Sequence, residues 1–408
     1  MPITDPQKHK TALNQALLIA VCLTFFMSSV GTAPLTLGSL LALAIWLFSG
    51  VCFRDRSDWQ AQEWLLPLAL LILLPWVGMI WSSAPPGQSL KIVEKSHYWL
   101  FAFVPVSAMK PAGSLRIILI SFIAGTTIIA SAVFLFLHGL IPVTLYLQNF
   151  LFRSYVTFSL LLVISILLLA FFYKTSTWRY KYLLIALMLF LALTITQLKG
   201  RSAYLSLAML SPWMFITLLG RRRIIPICVA ILLTFLLLFS SGTVRERIAL
   251  IPKEIKLYQS GVVSSYKQVD GSLTHSSIGL HLQMWKSALE VFQRHPFFGV
   301  GTNGYRYEAD KLYPGQGFSH PHNGYLYVAV SYGVAGLALY GWLLVVTVKR
   351  AWRSRDLLSG YSILAFLSVI MVGSLTDTVI LSVAPGILLG FIVGMPTKES
   401  SRQISCAS

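Results

Sequence analysis

The amino-acid sequence predicts an all-α polytopic membrane protein with about 12 transmembrane helices and one large outer loop that contains short amphipathic helices. Two observations indicate this class. The 408 residues are 56% hydrophobic and only 11% charged, whereas a soluble domain carries about 25% charged residues. The apolar residues also lie in repeated runs of about 20, the length that an α-helix needs to cross a bilayer.

Apolar runs separated by Pro, Gly or charged residues mark the expected spans. They cover 13–30, 34–52, 64–81, 92–109, 116–137, 156–173, 180–198, 202–219, 224–240, 324–348, 361–374 and 379–395. The fourth and eleventh runs are the weakest, since they are short or interrupted by polar residues. No persuasive cleavage site follows the first run, so it is interpreted as a retained span rather than a signal peptide.

The distribution of positive charge supports these spans and orients them, because Lys and Arg collect in cytoplasmic loops. With the N-terminus inside, the cytoplasmic segments hold 18 of the 32 Lys and Arg residues, the short outer loops 5 and the long loop the other 9. Both termini are therefore expected in the cytoplasm. The net charge of +18 then reflects orientation, and no nucleic-acid partner is expected, since no basic block is long enough to indicate one.

This orientation divides the chain into four parts. Nine helices with short loops occupy 1–240, a large outer loop occupies 241–323, three helices occupy 324–395, and a cytoplasmic tail covers 396–408. The loop is rich in aromatic residues, so it is expected to fold, and apolar residues at helical spacing predict an amphipathic helix over about 279–294. None of the four cysteines lies in this loop, so no disulfide framework is expected.

Polar side chains that are distant in sequence are expected at the outer interface. Lys199 and Arg201 form a turn between two spans, Arg153 precedes another span, and Asp377 lies in the last outer turn. A single interfacial cation often only reaches toward lipid headgroups, but a cluster beside hydrocarbon favours a functional site. Arg matches phosphate oxygens in pairs and Lys adds a point charge. The three cations are therefore predicted to bind a phosphorylated lipid, above all a diphosphate.

The stretch HPHNGYLYVAVSYGVAG (320–336) places two histidines and an asparagine directly before a long span. A His at the start of a helix feels the positive end of the helix dipole, which favours the neutral imidazole that a general base needs. His322 is the candidate base. Asn323 is expected to cap the helix, with a role in orienting His322 as the alternative. Simple capping by all three residues is the other interpretation.

Several catalytic motifs are missing from the sequence. It has no DxD pair, Cys/His cluster or HExxH that would indicate a metal site. It also has no Walker A pattern and no GxSxG elbow. The chemistry is therefore predicted to proceed without metal, nucleotide or other cofactor.

Four stretches resemble the O-antigen ligase (WaaL) family and the related O-antigen polymerases, which are Wzy-like membrane glycosyltransferases. They are TQLKGRSAYL (196–205), SSIGLHLQMWKSALEVFQRHPFFGVGTNGY (276–305), the pattern HN-x9-G-x-x-G formed by His322, Asn323, Gly333 and Gly336, and GSLTDTVILSVAPGILLG (373–390). The resemblance covers about half the chain, from roughly 150 to 395. Each motif is loose alone, but together, in order and on one predicted side of the membrane, they are fairly specific.

The resemblance implies a glycosyltransferase of the bacterial inner membrane whose active site and large loop face the periplasm. Such an enzyme transfers O-antigen polysaccharide from undecaprenyl diphosphate, the donor, to a sugar hydroxyl of lipid A–core, the acceptor, among the membrane lipids. His322 occupies the motif position of the base, so it is preferred over His320, which is expected to shape the loop or contact substrate. Attack opposite the departing diphosphate would invert the anomeric centre.

In one place the sequence departs from the family, which often has Arg in the loop helix where this chain has His281. On the helical wheel His281 lies near Trp285 and the apolar face. A packed neutral His is therefore favoured over a phosphate donor, and Arg306 or Lys286 would supply the third phosphate contact.

Three other functions remain open. An O-antigen polymerase would use the same donor with a second lipid-linked glycan as acceptor. A protein O-oligosaccharyltransferase would glycosylate Ser or Thr, although that family tends to have more sequence after the last span. A lipid-linked oligosaccharide flippase or exporter is the non-enzyme alternative, but transporters place charges near the bilayer midplane, whereas these spans are nearly free of charge.

Overall fold

The computed structural model describes residues 6–142, 155–198, 200–220, 223–260, 268–269, 272–273 and 277–397. The α-helices of these parts are α1 Pro6–Met27, α2 Thr32–Phe48, α3 Val51–Arg54, α4 Arg56–Gln60, α5 Leu65–Val77, α6 Pro86–Val93, α7 His97–Leu100, α8 Val104–Ala108, α9 Ser114–Leu137, α10 Tyr155–Thr175, α11 Trp178–Gln197, α12 Arg201–Leu219, α13 Ile224–Ser240, α14 Gly242–Gln259, α15 Ser277–Arg294, α16 Tyr305–Leu312, α17 Gly324–Arg353, α18 Leu358–Gly373 and α19 Val383–Gly394. Three 3₁₀ turns cover Glu94–Ser96, Phe101–Phe103 and Val379–Leu381. A minimal antiparallel pair joins β1 Gln268–Val269 to β2 Ser272–Leu273.

The predicted all-helical membrane class is confirmed. Within the described residues, five helices are long and apolar enough to cross a membrane, namely α9, α10, α11, α12 and α17. The pair formed by α13 and the start of α14 bends by 85° and makes a sixth if it is counted as one span. Shorter apolar helices of 10–17 residues lie within α1, α2, α5, α18 and α19. The count of 12 spans therefore stays a prediction.

The fourth predicted run, 92–109, is not one continuous helix. It begins at the end of α6 and then passes through a 3₁₀ turn, α7, a second 3₁₀ turn and α8. Pro105 lies in the last of these pieces, and a proline disrupts a longer helix because it lacks the N–H donor and clashes with the preceding turn. The predicted amphipathic helix over 279–294 is present as α15.

The centre of the bundle is α10, which packs against α11, α12 and α18. Of its most apolar 18-residue stretch, 83% is buried, and its side chains are apolar on every face, as expected for a helix without a solvent side. Beside it, Phe25, Phe122, Phe366 and Phe391 form a cluster of tilted and edge-to-face rings with centroids 4.8–6.2 Å apart. This packing fixes the helix ends that carry the polar residues described below.

Helix α17 is broken at Gly333, whose φ of 65° and ψ of −158° are not helical. The segment 296–304, here called the inserted segment, fills the break. Val334 N–H donates to Pro296 O at 2.8 Å, and Val300 N–H donates to Val330 O at 2.9 Å. A Cβ atom at position 333 would lie 2.3 Å from the backbone of Phe297, so only glycine fits this crossing.

The inserted segment also binds the predicted outer ends of α5 and α6, mainly through the fully buried Thr302. Its N–H donates to Gly78 O at 3.1 Å and its hydroxyl to Pro75 O at 2.6 Å. Its carbonyl accepts from the hydroxyls of Ser82 and Ser89 at 2.7 and 2.8 Å. These bonds satisfy the peptide groups that an interrupted helix leaves open, as an apolar environment requires.

An ion-pair network joins segments that are predicted to be cytoplasmic. The buried Asp55 contacts Arg54 at 2.8 Å and Lys110 at 2.7 Å, and Lys110 also reaches Asp58 at 2.8 Å. Burial opposes ionisation of Asp55, but the hydrogen bonds from Arg54 and Lys110 outweigh it and lower its pKa to about 2. The loops before α4 and after α8 therefore lie on one side of the bundle, as the charge distribution predicts.

The orientation of the bundle leads to a labelling prediction. In a cysteine-free background, Gln316→Cys, in an exposed turn between α16 and α17, should react with a membrane-impermeant thiol reagent added from the periplasmic side. Ser57→Cys, which is equally exposed on α4, should react only after the membrane is permeabilised. The background requires replacement of Cys22, Cys52, Cys228 and Cys406. Reversed labelling would place the whole polar cluster in the cytoplasm and contradict the predicted orientation.

Candidate active site

A cavity of about 340 Å³ lies at the predicted outer ends of α10 and α12 and is covered by α14 and α15. It is lined by Tyr155, Val156, Arg201, Ser202, Ile251, Ile278, His281, Leu282, Trp285, His322, Thr376 and Asp377. Apolar side chains make up much of the wall, and two histidines, an aspartate and an arginine face the interior. The fold thus gathers four of the polar residues predicted from the sequence into one cavity, called here the main cavity.

His322 and Asp377 form a hydrogen-bonded pair in which Nδ1 of His322 lies 2.9 Å from Oδ1 of Asp377. The same carboxylate oxygen accepts the N–H of Thr378 at 2.7 Å. An ionised carboxylate only accepts hydrogen bonds, so the proton of this contact belongs to Nδ1 of the imidazole. In the neutral form of the ring, Nε2 is then the hydrogen-bond acceptor.

The backbone around His322 is held by a helix cap. The side-chain oxygen of Asn323 accepts the N–H groups of Tyr325 and Leu326, both at 3.0 Å, which is the predicted capping role. The Asn323 side-chain amide donates to Leu375 O at 3.0 Å. His322 itself has a φ of 47°, and a left-handed non-glycine residue costs about 1–3 kcal/mol unless its surroundings enforce it. The cap and the Asp377 contact supply that enforcement.

His320 lies behind His322, and the two ring centroids are 4.2 Å apart. Its Nδ1 is 3.2 Å from the hydroxyl of Thr378. Burial, followed by the neighbouring His322, lowers the pKa of His320 to about 4, so this ring is neutral at pH 7. Burial opposes ionisation of Asp377, but the hydrogen bond from His322 outweighs it and keeps the pKa of the carboxyl below its usual value.

Arg201 begins α12 and faces the same cavity. Its Nη2 atom lies 3.7 Å from Oε1 of Glu254 and makes no hydrogen bond within the described parts of the chain. The second oxygen of Glu254 accepts the N–H of Ile278 at 2.8 Å, so one carboxylate links α14, α15 and Arg201. The preceding Gly200 lies against α10, where a Cβ atom would be 2.5 Å from the hydroxyl oxygen of Ser159.

Sequence reasoning missed Glu254. Nothing in its local pattern marks it, because it is one of two acids among the basic residues of α14, and its role depends on α14 folding over Arg201. The sequence offers one weak signal: the chain has only 14 Asp and Glu residues in total, so each acid in the large loop is a candidate partner for a cation.

The remaining predicted site residues are distributed unevenly. The ring of His281 lies 5.0 Å from that of His322, and this side chain lines the cavity together with Trp285; its predicted role stays a prediction. Arg306 and Lys286 are exposed and do not line the cavity. Arg153 and Lys199 lie outside the described residues.

Three residues of the candidate active site also lie close enough together to bind a metal ion. Ligand atoms of His320, His322 and Asp377 all lie within 4.8 Å of one another, and two imidazoles with one carboxylate are a common ligand set for transition metals. The sequence contains no contiguous metal motif, so this possibility is visible only once the fold brings position 377 beside the histidines.

These features define a multi-pass membrane protein with an apolar cavity that carries a paired imidazole and an arginine. A family model described as O-antigen ligase matches residues 183–341. The match spans the segment that contains Arg201, Glu254, His281 and His322 and ends before Asp377. It bears out the predicted resemblance, and over these residues the chain is similar to the O-antigen ligase family. The family indicates a membrane glycosyltransferase whose substrates are lipid-linked polysaccharides. A search of curated proteins finds no match.

Proposed function

We propose that this protein is an inner-membrane O-antigen ligase that transfers the polysaccharide from undecaprenyl diphosphate to a sugar hydroxyl of lipid A–core. The observation that carries the proposal is the placement of the His322–Asp377 pair and of Arg201 in the wall of one cavity. A glycosyl transfer from a diphosphate needs a base for the incoming hydroxyl and positive charge for the leaving group. Both are present on one site, within the segment that the family match covers.

In the proposed reaction, Nε2 of His322 accepts the proton of the acceptor hydroxyl. Asp377 holds the ring through Nδ1 and stabilises the imidazolium that forms. The hydroxyl oxygen attacks the anomeric carbon from the side opposite the diphosphate, the carbon–oxygen bond to phosphate breaks, and its electrons leave with the diphosphate. Because there is one displacement, the anomeric centre is inverted and no covalent enzyme intermediate forms.

The negative charge that develops on the diphosphate is balanced by side chains of the chain itself. Arg201 has an Nη2 atom without a hydrogen-bond partner among the described residues, and its planar guanidinium suits two phosphate oxygens. We assign the same task to Arg153 and Lys199, which precede the cavity residues Tyr155 and Arg201 by two positions. His281 lines the cavity and takes the place of the arginine of related chains as a hydrogen-bond donor.

The active site is proposed to face the periplasm, with both termini in the cytoplasm. Residues predicted to be outside, among them Arg201, His281 and His322, line the main cavity. The segments that carry the predicted cytoplasmic cations Arg54 and Lys110 meet in a separate network. Donor and acceptor lipids would therefore meet at the outer leaflet.

A reconstituted assay tests this function. Purified protein in liposomes receives undecaprenyl-diphosphate-linked O-antigen together with lipid A–core, and we expect a lipid A–core product that carries the glycan with inverted anomeric configuration. With donor alone, the lipid-linked glycan should not be extended. Chain extension without lipid A–core would identify a polymerase instead, transfer to a Ser or Thr peptide would identify a protein glycosyltransferase, and donor movement across the bilayer without a new bond would identify an exporter.

A further inference from the structure

The structure holds a second pocket next to the histidines, and we propose that it binds the phosphate of an acidic glycolipid acceptor. This inference rests on the proposed function, because it assigns the acceptor to one side of His322 and the donor diphosphate to the other. The pocket, called here the Lys95 pocket, lies between the 3₁₀ turn 94–96, α5, α17 and the turn 379–381. Within the described residues it shares no lining side chain with the main cavity.

Lys95 supplies the charge. Its side chain is half-buried, and its ammonium donates to the carbonyl of Leu381 at 2.9 Å. No carboxylate of the described residues lies within ion-pair distance of it, although the protein forms such pairs at Arg54, Lys110 and Lys311. Charges that are taken out of water are normally paired. A ligand that carries an anionic group would supply the missing partner of Lys95.

Two residues that line the same pocket, Ser96 and Tyr327, carry buried hydroxyls without a partner among the described residues. The hydroxyls of Ser96 and of Tyr327, which is 95% buried, make no hydrogen bond within the described parts of the chain. Tyr327 has Ser331 as a neighbour, but the two hydroxyls do not reach hydrogen-bonding geometry. A buried hydroxyl left unpaired costs about 1–3 kcal/mol. Lys95, Ser96 and Tyr327 all line the pocket, and ammonium and hydroxyl groups are hydrogen-bond donors to phosphate.

The wall of the pocket favours a lipid phosphate over a free one. Most of the wall is apolar, with leucines of α5 and aromatic rings of α17. Inorganic phosphate would lose its hydration there, whereas an amphipathic lipid regains free energy by burying methylene groups.

The position of the pocket connects it to the proposed base. Lys95 is close enough to act electrostatically on His320, and the His320 ring lies 4.2 Å from the His322 ring at an interplanar angle of 51°. Thr376 and Asp377 line the main cavity, whereas Ile380 and Leu381 line the Lys95 pocket. In the proposal, a lipid held by its phosphate at Lys95 presents its sugar hydroxyls toward His322.

The test compares Lys95→Gln, Lys95→Arg and Lys91→Gln, with Lys91 as an exposed cation on α6 that lies outside the pocket. Binding of lipid A–core and of its dephosphorylated form is measured in detergent without donor. Lys95→Gln should weaken binding of the phosphorylated lipid about 10- to 150-fold, the loss of one charge-assisted contact, and leave the dephosphorylated lipid unchanged. Lys95→Arg and Lys91→Gln should bind both lipids like the parent.

Each arm has a distinct meaning. Two outcomes would overturn the proposal: the parent binds the two lipids equally, or Lys95→Gln weakens the binding of both equally. Lys95 would then serve only to stabilise the turn at Leu381. Competition by inorganic phosphate at the concentration of the lipid would do the same, because it would show a free-phosphate site. Lipid binding is measured without glycan transfer, so the two proposals can fail separately. If the parent shows no ligase activity but Lys95→Gln weakens binding of the phosphorylated lipid alone, the proposed function is refuted and the pocket assignment stands.

Discussion

Replacing His322 with alanine is expected to slow glycan transfer about 100- to 10,000-fold, the usual effect of losing a general base, while donor binding persists. The expectation follows from the geometry, in which Asp377 fixes Nδ1 and leaves Nε2 to take the proton. Single-turnover transfer from lipid-linked glycan to lipid A–core measures the rate, and donor binding is measured separately. Asp377→Asn should also slow transfer, because the amide no longer enforces the required tautomer.

The matched control is His138→Ala, since His138 lies at the end of α9, bonded to Gln197, and does not line the main cavity. That variant should transfer glycan at the parent rate. If His322→Ala loses donor binding and transfer together, His322 is a phosphate contact and not a base. Full activity of His322→Ala would leave the histidines with a capping role only.

Arg201→Ala is expected to reduce use of the diphosphate donor about 10- to 150-fold, which corresponds to about 1.5–3 kcal/mol for one charge-assisted contact. Arg201→Lys should recover little of this loss, because an ammonium cannot form the paired bonds of a guanidinium. The measurement is kcat/KM for the donor at saturating acceptor. Arg306→Ala is the control, as Arg306 is an exposed arginine outside the main cavity. Parent-like activity of Arg201→Lys would indicate that Arg201 only anchors the helix end at the lipid headgroups.

Composition and periodicity were sufficient to predict an all-helical membrane protein, because the length of an apolar run is fixed by the bilayer and not by tertiary contacts. The interruption of 92–109 follows from Pro105 and its neighbouring turns, and a hydropathy average does not register it. The break at Gly333 was also hidden. Glycine is common in spans, and the break exists only because a distant segment supplies the hydrogen bonds.

The candidate site was predictable in outline. Charge bias placed Arg201, His322 and Asp377 on one side of the membrane, and the structure brings these three to one cavity. The contacts that give them roles are long-range, such as the pairing across 55 positions between His322 and Asp377 and the approach of Glu254 to Arg201. His281 shows the limit of the helical wheel, which reports the apolar face of a helix but not what that face covers.

The inserted segment has a consequence for how the protein is made. Because 296–304 precedes α17 in the chain, it emerges from the ribosome first and can settle on the ends of α5 and α6 before α17 exists. Helix α17 must then enter the bilayer around it, since the peptide groups near Gly333 find their partners in Pro296–Gly301 and cannot remain unpaired in hydrocarbon. The helix that begins beside His322 is thus completed only after the inserted segment is in place.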